Sequence, residues 1–283
     1  VPTNKQRREA AQRHLQRQLE RRAELARKRR RNLGIIATVV AVVVVVGAAL
    51  LITGVFQSDD TEAATDPSAT PTAPVTSSAA AATTNADGTI ACTYTPDASG
   101  NPSLKDVGTP PTPEATPTQG TSTLLVKTNQ GDMTLNLNRT AAPCAAASFT
   151  YLASQKFFDG TPCHREVNQP TFGVLQCGDP TGSGSGGPSY KFAEEVTPET
   201  TYPRGTIAMA NSGTPGSTGS QFFLCFVDTE LSPDYTAVGT VDEAGLATLD
   251  KIAEAGNDGS FEPSPGGGAP NTPVTIETVT VVG

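Results

Sequence analysis

The chain has 283 residues, a formal net charge of −8, five cysteines and no tryptophan, a size that holds one domain with appendages or two small domains. Charge is segregated: residues 1–31 carry 12 Lys/Arg against Glu9, Glu20 and Glu24, residues 57–121 carry Lys105 against eight acids, and residues 122–283 carry 7 basic and 17 acidic side chains. The acidic C-terminal part excludes a phosphate-binding track and no nucleic-acid partner is expected, while five cysteines are too few for a disulfide scaffold.

Residues 5–31 are rich in helix formers and lack Gly and Pro. Ala11, Leu15, Leu19, Ala23 and Ala26 form only a thin stripe, so a solvated basic helix is expected. Leu33 to Phe56 follows as 24 uncharged residues dominated by Val, Ile, Leu and Ala. About 20 apolar residues span a bilayer as a helix, and a cleaved signal would have a shorter apolar core behind a shorter basic region. The stretch is therefore predicted to be an uncleaved single-pass anchor in contact with membrane lipid. Basic residues on its N-terminal flank and Asp59, Asp60 and Glu62 on the other place residues 1–32 in the cytoplasm and all that follows outside. Residues 57–121 are Ala/Thr/Ser/Pro-rich with nine prolines and are predicted to be a disordered linker spanning on the order of 45 Å. A more apolar patch around Cys92 (TIACTYTP) is its one candidate for docking on the domain.

Residues 122–283 then read as a domain. Leu124 to Asn138 alternates apolar and polar residues around Asn129-Gln130-Gly131, a β-hairpin pattern. Ala142 to Lys156 has helical spacing, with Pro143 in the first turn and Phe149, Leu152 and Ala153 on one face. Gly205 to Phe226 opens and closes as strands around a loop punctuated by Gly213, Pro215, Gly216 and Gly219. Asn211 and Gln221 sit at the two strand–loop junctions, where their amides either hold another chain's backbone or bond their own loop. Glu243 to Ala255 is a second amphipathic helix, with Leu246, Leu249, Ile252 and Ala253 inward, and Val274 to Val282 a closing strand. Many short strands with two helices suggest a mainly β, closed barrel with capped ends.

Three segments in order, FFDGTPCHR (157–165), LQCGDPTGSGSGGPSYKFAEE (175–195) and YPRGTIAMANSGTPGSTGSQFF (202–223), closely resemble the cyclophilin family of peptidyl-prolyl isomerases. The resemblance covers about residues 122–283. It implies an eight-stranded antiparallel barrel with a helix over each opening. It also implies that Arg165 is the catalytic donor, that Gln176 and Asn211 hold the peptide backbone, and that Phe223 and Leu231 wall a proline pocket. Ala210, Ser212 and Gln221 would line the neighbouring groove. The segment between Arg165 and Gln176 is longer than is usual in the family, and Phe172 or Val174 would replace its Phe-Met pair. Tyr235 stands where many members have His. The common Trp before the pocket Leu is absent, which implies weakened binding of cyclosporin. His164 is expected to be structural.

Other motifs carry less. Gly182, Gly184 and Gly187 match G-x-G-x-x-G, but Pro188-Ser189-Tyr190 follow where a dinucleotide site needs a helix. Cys163 beside His164 fails as a thiol–imidazole pair, since adjacent strand residues face opposite ways. No metal or cofactor is expected. In an oxidising compartment Cys163 and Cys177 are the expected disulfide. The reading is an anchored, extracytoplasmic prolyl isomerase acting on proline-containing peptides and unfolded exported proteins. Its rivals are a non-catalytic proline-peptide-binding module or chaperone on the same barrel, and a cell-wall tether.

Overall fold

The structure is a computed structural model that describes residues 84–282. The basic segment, the apolar stretch 33–56 and the first part of the expected linker lie outside the described residues. Among the described residues no helix is long and apolar enough to cross a membrane.

Nine strands and two helices build the domain: β1 (Thr121–Thr128), β2 (Met133–Asn138), α1 (Pro143–Ser154), β3 (Thr161–Cys163), β4 (Arg165–Gln169), β5 (Phe172–Cys177), β6 (Thr206–Met209), β7 (Phe222–Cys225), β8 (Ala237–Val241), α2 (Glu243–Ala255) and β9 (Val274–Val281). They form one antiparallel sheet in the order β3-β9-β1-β2-β8-β6-β7-β5-β4. The two ends of that order, β3 and β4, are consecutive in the chain and separated by His164 alone. The sheet is therefore a nearly closed barrel. His164 N–H donates to the Gln176 carbonyl at 3.0 Å, and a Cys163–Cys177 disulfide ties β3 to β5 across the remaining gap. The count differs from the expected eight because the Cys-His-Arg strand is broken at His164: β3 pairs with β9, and β4 with β5.

The local choices follow the sequence. Gly131 takes φ +140° in the β1–β2 turn, and a Cβ there would come within 2.8 Å of the Thr248 hydroxyl on α2. Pro143 occupies the first turn of α1, where a missing N–H costs nothing. The free N–H groups of Cys144 and Ala145 are taken by the Glu195 carboxylate at 3.0 and 2.8 Å. Asp242 caps α2 by accepting from Gly245 N–H at 2.8 Å. Alternate residues of β1 and β2 (Leu124, Val126, Met133, Leu135, Leu137) point into the barrel. Phe149 and Leu152 of α1 and Leu246, Leu249 and Ile252 of α2 join them in one core. Phe149 meets Phe158 and Phe222 edge-to-face, with centroids 4.9 and 4.8 Å apart.

The linker expectation needs correcting over residues 84–121. These residues form an arm laid along the barrel. Thr95–Pro96 pair antiparallel with Tyr190–Lys191, and Leu104–Lys105 pair parallel with Gly187–Pro188. Cys92 is disulfide-bonded to Cys144 at the start of α1. Tyr94 packs edge-on against Tyr190 and Phe192 at 5.3 and 5.6 Å, and its hydroxyl donates to the Cys144 carbonyl at 2.9 Å. The composition argument failed because it asked whether the segment could bury its own apolar surface. Order comes instead from a covalent staple and from borrowed strand partners.

The Cys92–Cys144 bond closes a sequence separation of 52 residues. Replacing both by Ala is expected to cost about 2–4 kcal/mol in denaturant melts and to raise amide exchange over residues 93–106. Unchanged protection of the arm in that variant would show that its strand pairings alone hold it.

Candidate active site

Side chains alternate faces along a strand, so cross-strand partners share a face. Arg165 on β4 opposes Gln176 on β5, Gln176 opposes Phe223 on β7, and Phe223 opposes Ala208 on β6. A second row pairs Val167 with Val174 and Val174 with Cys225. These residues face away from the barrel interior. Val167, Val174, Ala208, Phe223 and Cys225 pack there with Tyr202 as a separate apolar cluster. An intervening row, Glu166, Leu175, Leu224 and Ile207, faces the interior.

On that outer cluster lies a cavity of about 570 Å³. Phe172, Val174, Phe223, Leu231 and Tyr235 form its apolar walls, and Arg165, Gln176, Ala210 and Asn211 its edge. Nine of the residues expected from sequence thus converge here. The Tyr235 ring stands edge-on to Phe223 at 5.5 Å. Its backbone is pinned by the Tyr202 hydroxyl, which donates to the Tyr235 carbonyl (2.9 Å) and accepts from its N–H (3.0 Å).

The Arg165 guanidinium is held by acceptors that carry no full charge. Nε donates to the Gly266 carbonyl at 2.9 Å, Nη2 to the Pro265 carbonyl at 2.8 Å and Nη1 to Gln176 Oε1 at 3.1 Å. A guanidinium has five N–H groups. One on each terminal nitrogen therefore takes no acceptor among the described residues, and no carboxylate there is ion-paired with it. Burial pulls its pKa below the ordinary value, but an arginine stays charged. His164, beside it, is buried, and that burial pulls its pKa down, so it is neutral at physiological pH.

Ser212 and Gln221 fall in a second cavity of about 440 Å³, which shares Gln176, Gly184, Ala210 and Asn211 with the first. Both amides make intramolecular hydrogen bonds. Gln221 Nε2 donates to the Gly184 and Gly186 carbonyls, both at 3.0 Å, and its Oε1 accepts from Gln176 Nε2 at 2.9 Å. Asn211 Nδ2 donates to the Asp234 carbonyl (2.8 Å) and its Oδ1 accepts from Gly213 N–H (2.9 Å). The Gln221 amide nitrogen is fully engaged, whereas one Nδ2 N–H of Asn211 takes no acceptor among the described residues. The Asn211 main-chain N–H and C=O likewise have no partner among the described residues. The Gly-rich 181–186 loop, matched by the dinucleotide motif, is wrapped around Asp179. That carboxylate accepts from Thr181 N–H (2.7 Å) and Gly184 N–H (2.6 Å), and a Cβ at Gly186 would sit 2.0 Å from its Oδ1. Burial alone would raise the Asp179 pKa, but these N–H groups outweigh it and hold the carboxyl below its usual range.

The sequence reading missed two groups of lining residues. Phe261 and Pro265 close the first cavity from the 257–270 loop, and Asp97, Ser99, Asn101 and Leu104 of the arm line the second. A lone Phe in a Pro/Gly-rich loop (FEPSPGGG) was the available signal for the former.

The profile of the family described as "Cyclophilin type peptidyl-prolyl cis-trans isomerase/CLD" matches residues 123–281. The chain belongs to the cyclophilin family. A Mycobacterium leprae protein named "Probable peptidyl-prolyl cis-trans isomerase B" is 43% identical over 202 residues, covering 67% of this chain and 66% of its own length. The chain thus spans slightly less than two thirds of that relative. A Mycobacterium tuberculosis protein named "Peptidyl-prolyl cis-trans isomerase A" is 35% identical over 179 residues, 57% of this chain and 92% of its own. A crystal structure of a cyclophilin type peptidyl-prolyl cis-trans isomerase from Cryptosporidium parvum matches with TM-score 0.50 at 27% identity, covering 58% of this chain and 99% of that one.

This cyclophilin carries one feature inside the barrel that its site does not use. Glu166, fully buried opposite Leu175, has no hydrogen-bond partner for either carboxylate oxygen among the described residues. Burial pushes its pKa from 4.5 to about 7. Below pH 4.5 the acid is protonated whether folded or unfolded and costs nothing. Between 4.5 and 7 the unfolded chain loses the proton first, so stability falls as pH rises and levels off above the folded pKa. The loss is about 3 kcal/mol. Urea melts of Glu166→Gln are expected to match wild type near pH 4 and to exceed it by roughly that amount at pH 8. A difference that does not vary with pH would contradict this account.

Proposed function

We propose that the chain is an active peptidyl-prolyl cis–trans isomerase. The observation that carries this reading is a charged guanidinium with two unengaged N–H groups on the rim of an apolar cavity walled by Phe223. Rotation about an X–Pro bond faces a barrier of ~18–20 kcal/mol because amide resonance is lost as the C–N bond twists. No nucleophile or metal is needed. Twisting localises a lone pair on the imide nitrogen, and a donor aimed there stabilises the twisted form more than the planar one.

Arg165 is suited to this role because its charge is permanent and its fork is fixed by Gly266, Pro265 and Gln176. Phe223, Val174, Phe172, Leu231 and Tyr235 would hold the proline ring, and the Asn211 main chain would anchor the peptide. One charge-assisted hydrogen bond contributes roughly 1.5–3 kcal/mol, about 10- to 150-fold in rate. The remainder of the catalysis would come from the water-poor pocket.

The setting we propose is extracytoplasmic, with the domain tethered through the apolar stretch 33–56 and acting on proline-containing segments of unfolded exported proteins. Two features support it: the basic flank on the N-terminal side of that stretch, and two disulfides in the domain, a bond type that persists in oxidising compartments. The lack of any tryptophan and the presence of Tyr235 in the pocket support weakened cyclosporin binding; submicromolar inhibition would contradict it.

The test is a protease-coupled isomerisation assay on the full chain. Arg165→Ala is expected to lower kcat/KM by about 10- to 150-fold with the fold intact by circular dichroism, and Arg165→Lys to restore only part of it. Wild-type protein that binds proline peptides without accelerating their isomerisation would favour the binding-module reading.

A further inference from the structure

We propose that the arm is a working part of the peptide-binding surface: it walls the second cavity as a subsite for residues flanking the substrate proline, and through Asp97 it disfavours acidic side chains there. This rests on the isomerase reading of the adjoining cavity.

The two cavities are continuous. Gln176, Gly184, Ala210 and Asn211 line both, so an extended peptide leaving the proline pocket past Asn211 enters the second. One wall of that second cavity belongs to the barrel. The other is supplied by Asp97, Ser99, Asn101 and Leu104. These residues are fixed in place: Leu104 lies in the strand paired with Gly187–Pro188, Asn101 Nδ2 donates to the Ser185 carbonyl at 2.8 Å, and Asp97 N–H donates to the Ser189 carbonyl at 2.8 Å. The Cys92–Cys144 staple anchors the segment upstream.

Charge gives the subsite its preference. Asp97 and Lys191 are the only charged side chains lining the cavity among the described residues, and they form an ion pair at 2.9 Å. The Asp97 side chain is 6% exposed and that of Lys191 40%. Hydrogen bonds, first from the Ser99 hydroxyl and then from Lys191, hold the Asp97 carboxyl below its ordinary range, so the pair is ionised at neutral pH. A barrel without the arm would present Lys191 alone, an attraction for Glu or Asp. With the arm, that cation is matched, and an incoming carboxylate meets Asp97 as well.

The isomerase B likeness covers 67% of this chain, about 190 residues, more than the 162 from Ser122 to Gly283, so it reaches into the arm.

The experiment uses the full chain and two peptide sets: a short X-Pro peptide, and longer ones extended on either side of the proline with Glu, Gln or Lys at each added position. Wild type is expected to favour Gln or Lys over Glu by about two- to fivefold in kcat/KM at one or more added positions. Asp97→Asn should erase or reverse that preference, and adding Lys191→Met should abolish any Glu preference gained, all without change on the short peptide. Equal Glu/Gln ratios in wild type and Asp97→Asn, with the arm still protected from amide exchange, would overturn the proposal. So would an arm released by the substitution whose loss leaves the extended-peptide ratios untouched. If the short peptide shows no turnover, the isomerase reading fails on its own, and equilibrium binding of the same series decides the subsite by the same ratios.

Discussion

The site depends on one constraint: a strand presents alternate residues to opposite faces, and four neighbouring strands are in register at a single row. Arg165, Gln176, Phe223 and Ala208 are direct cross-strand partners. A slip of one residue in any of those pairings would turn that strand's side chain into the barrel and bring its neighbour out. The consequence would be worst at β4, where it would move Glu166 from the interior to the groove and bury the guanidinium. The elements that fix the register of β4 therefore matter as much as the groove itself. They are the break at His164, the Cys163–Cys177 bond and the pair of hydrogen bonds between Glu166 and Gly268. The Gly268 pairing also positions the 257–270 loop, whose Pro265 and Gly266 carbonyls orient Arg165.

Holding an arginine with carbonyls and an amide oxygen rather than a carboxylate has a physical logic. A salt bridge would fix the fork equally well but would match its charge before a substrate arrived. Neutral acceptors orient three N–H groups and leave the positive charge to act across the cavity. Gln176 then serves two purposes. Its Oε1 receives Arg165 and its Nε2 reaches Gln221, which grips the Gly184 and Gly186 carbonyls. The guanidinium and the wall common to the two cavities are thus joined by one hydrogen-bonded chain.

How much of this was legible in the sequence depended on whether the signal was local. Both helices and the β1–β2 hairpin follow from periodicity and turn residues, with the observed helix ends within two residues of those expected, whereas Val174 and Phe223 were expected at the pocket only through the family resemblance. The Cys163–Cys177 pairing is the one expected from their placement on facing strands, and the structure forms it. Asn211 and Gln221 mark the limit. Composition shows that an amide sits at a strand–loop junction, but only the three-dimensional position of Gly184, Gly186 and Asp234 shows which carbonyls it bonds. Phe261 stood out only as a lone Phe in a Pro/Gly-rich loop; its role as a wall residue depends on contacts that bring that loop to Arg165 across about 100 residues of chain.

Residues 84–121 show the same limit in a stronger form. Their prolines, threonines and alanines describe a chain with no reason to order itself, and judged alone that inference is sound. Ordering requires only that the entropy lost be offset by contacts made elsewhere. Those contacts are the Tyr94 ring between Tyr190 and Phe192, two short ladders on the 187–191 segment, and a disulfide that shortens the search for both. Four of the partners on the barrel side, Gly187, Pro188, Tyr190 and Lys191, line the second cavity. A segment that orders only by docking there necessarily reshapes that cavity. A domain boundary drawn at residue 122 therefore separates Asp97, Ser99, Asn101 and Leu104 from the rest of the wall of that cavity.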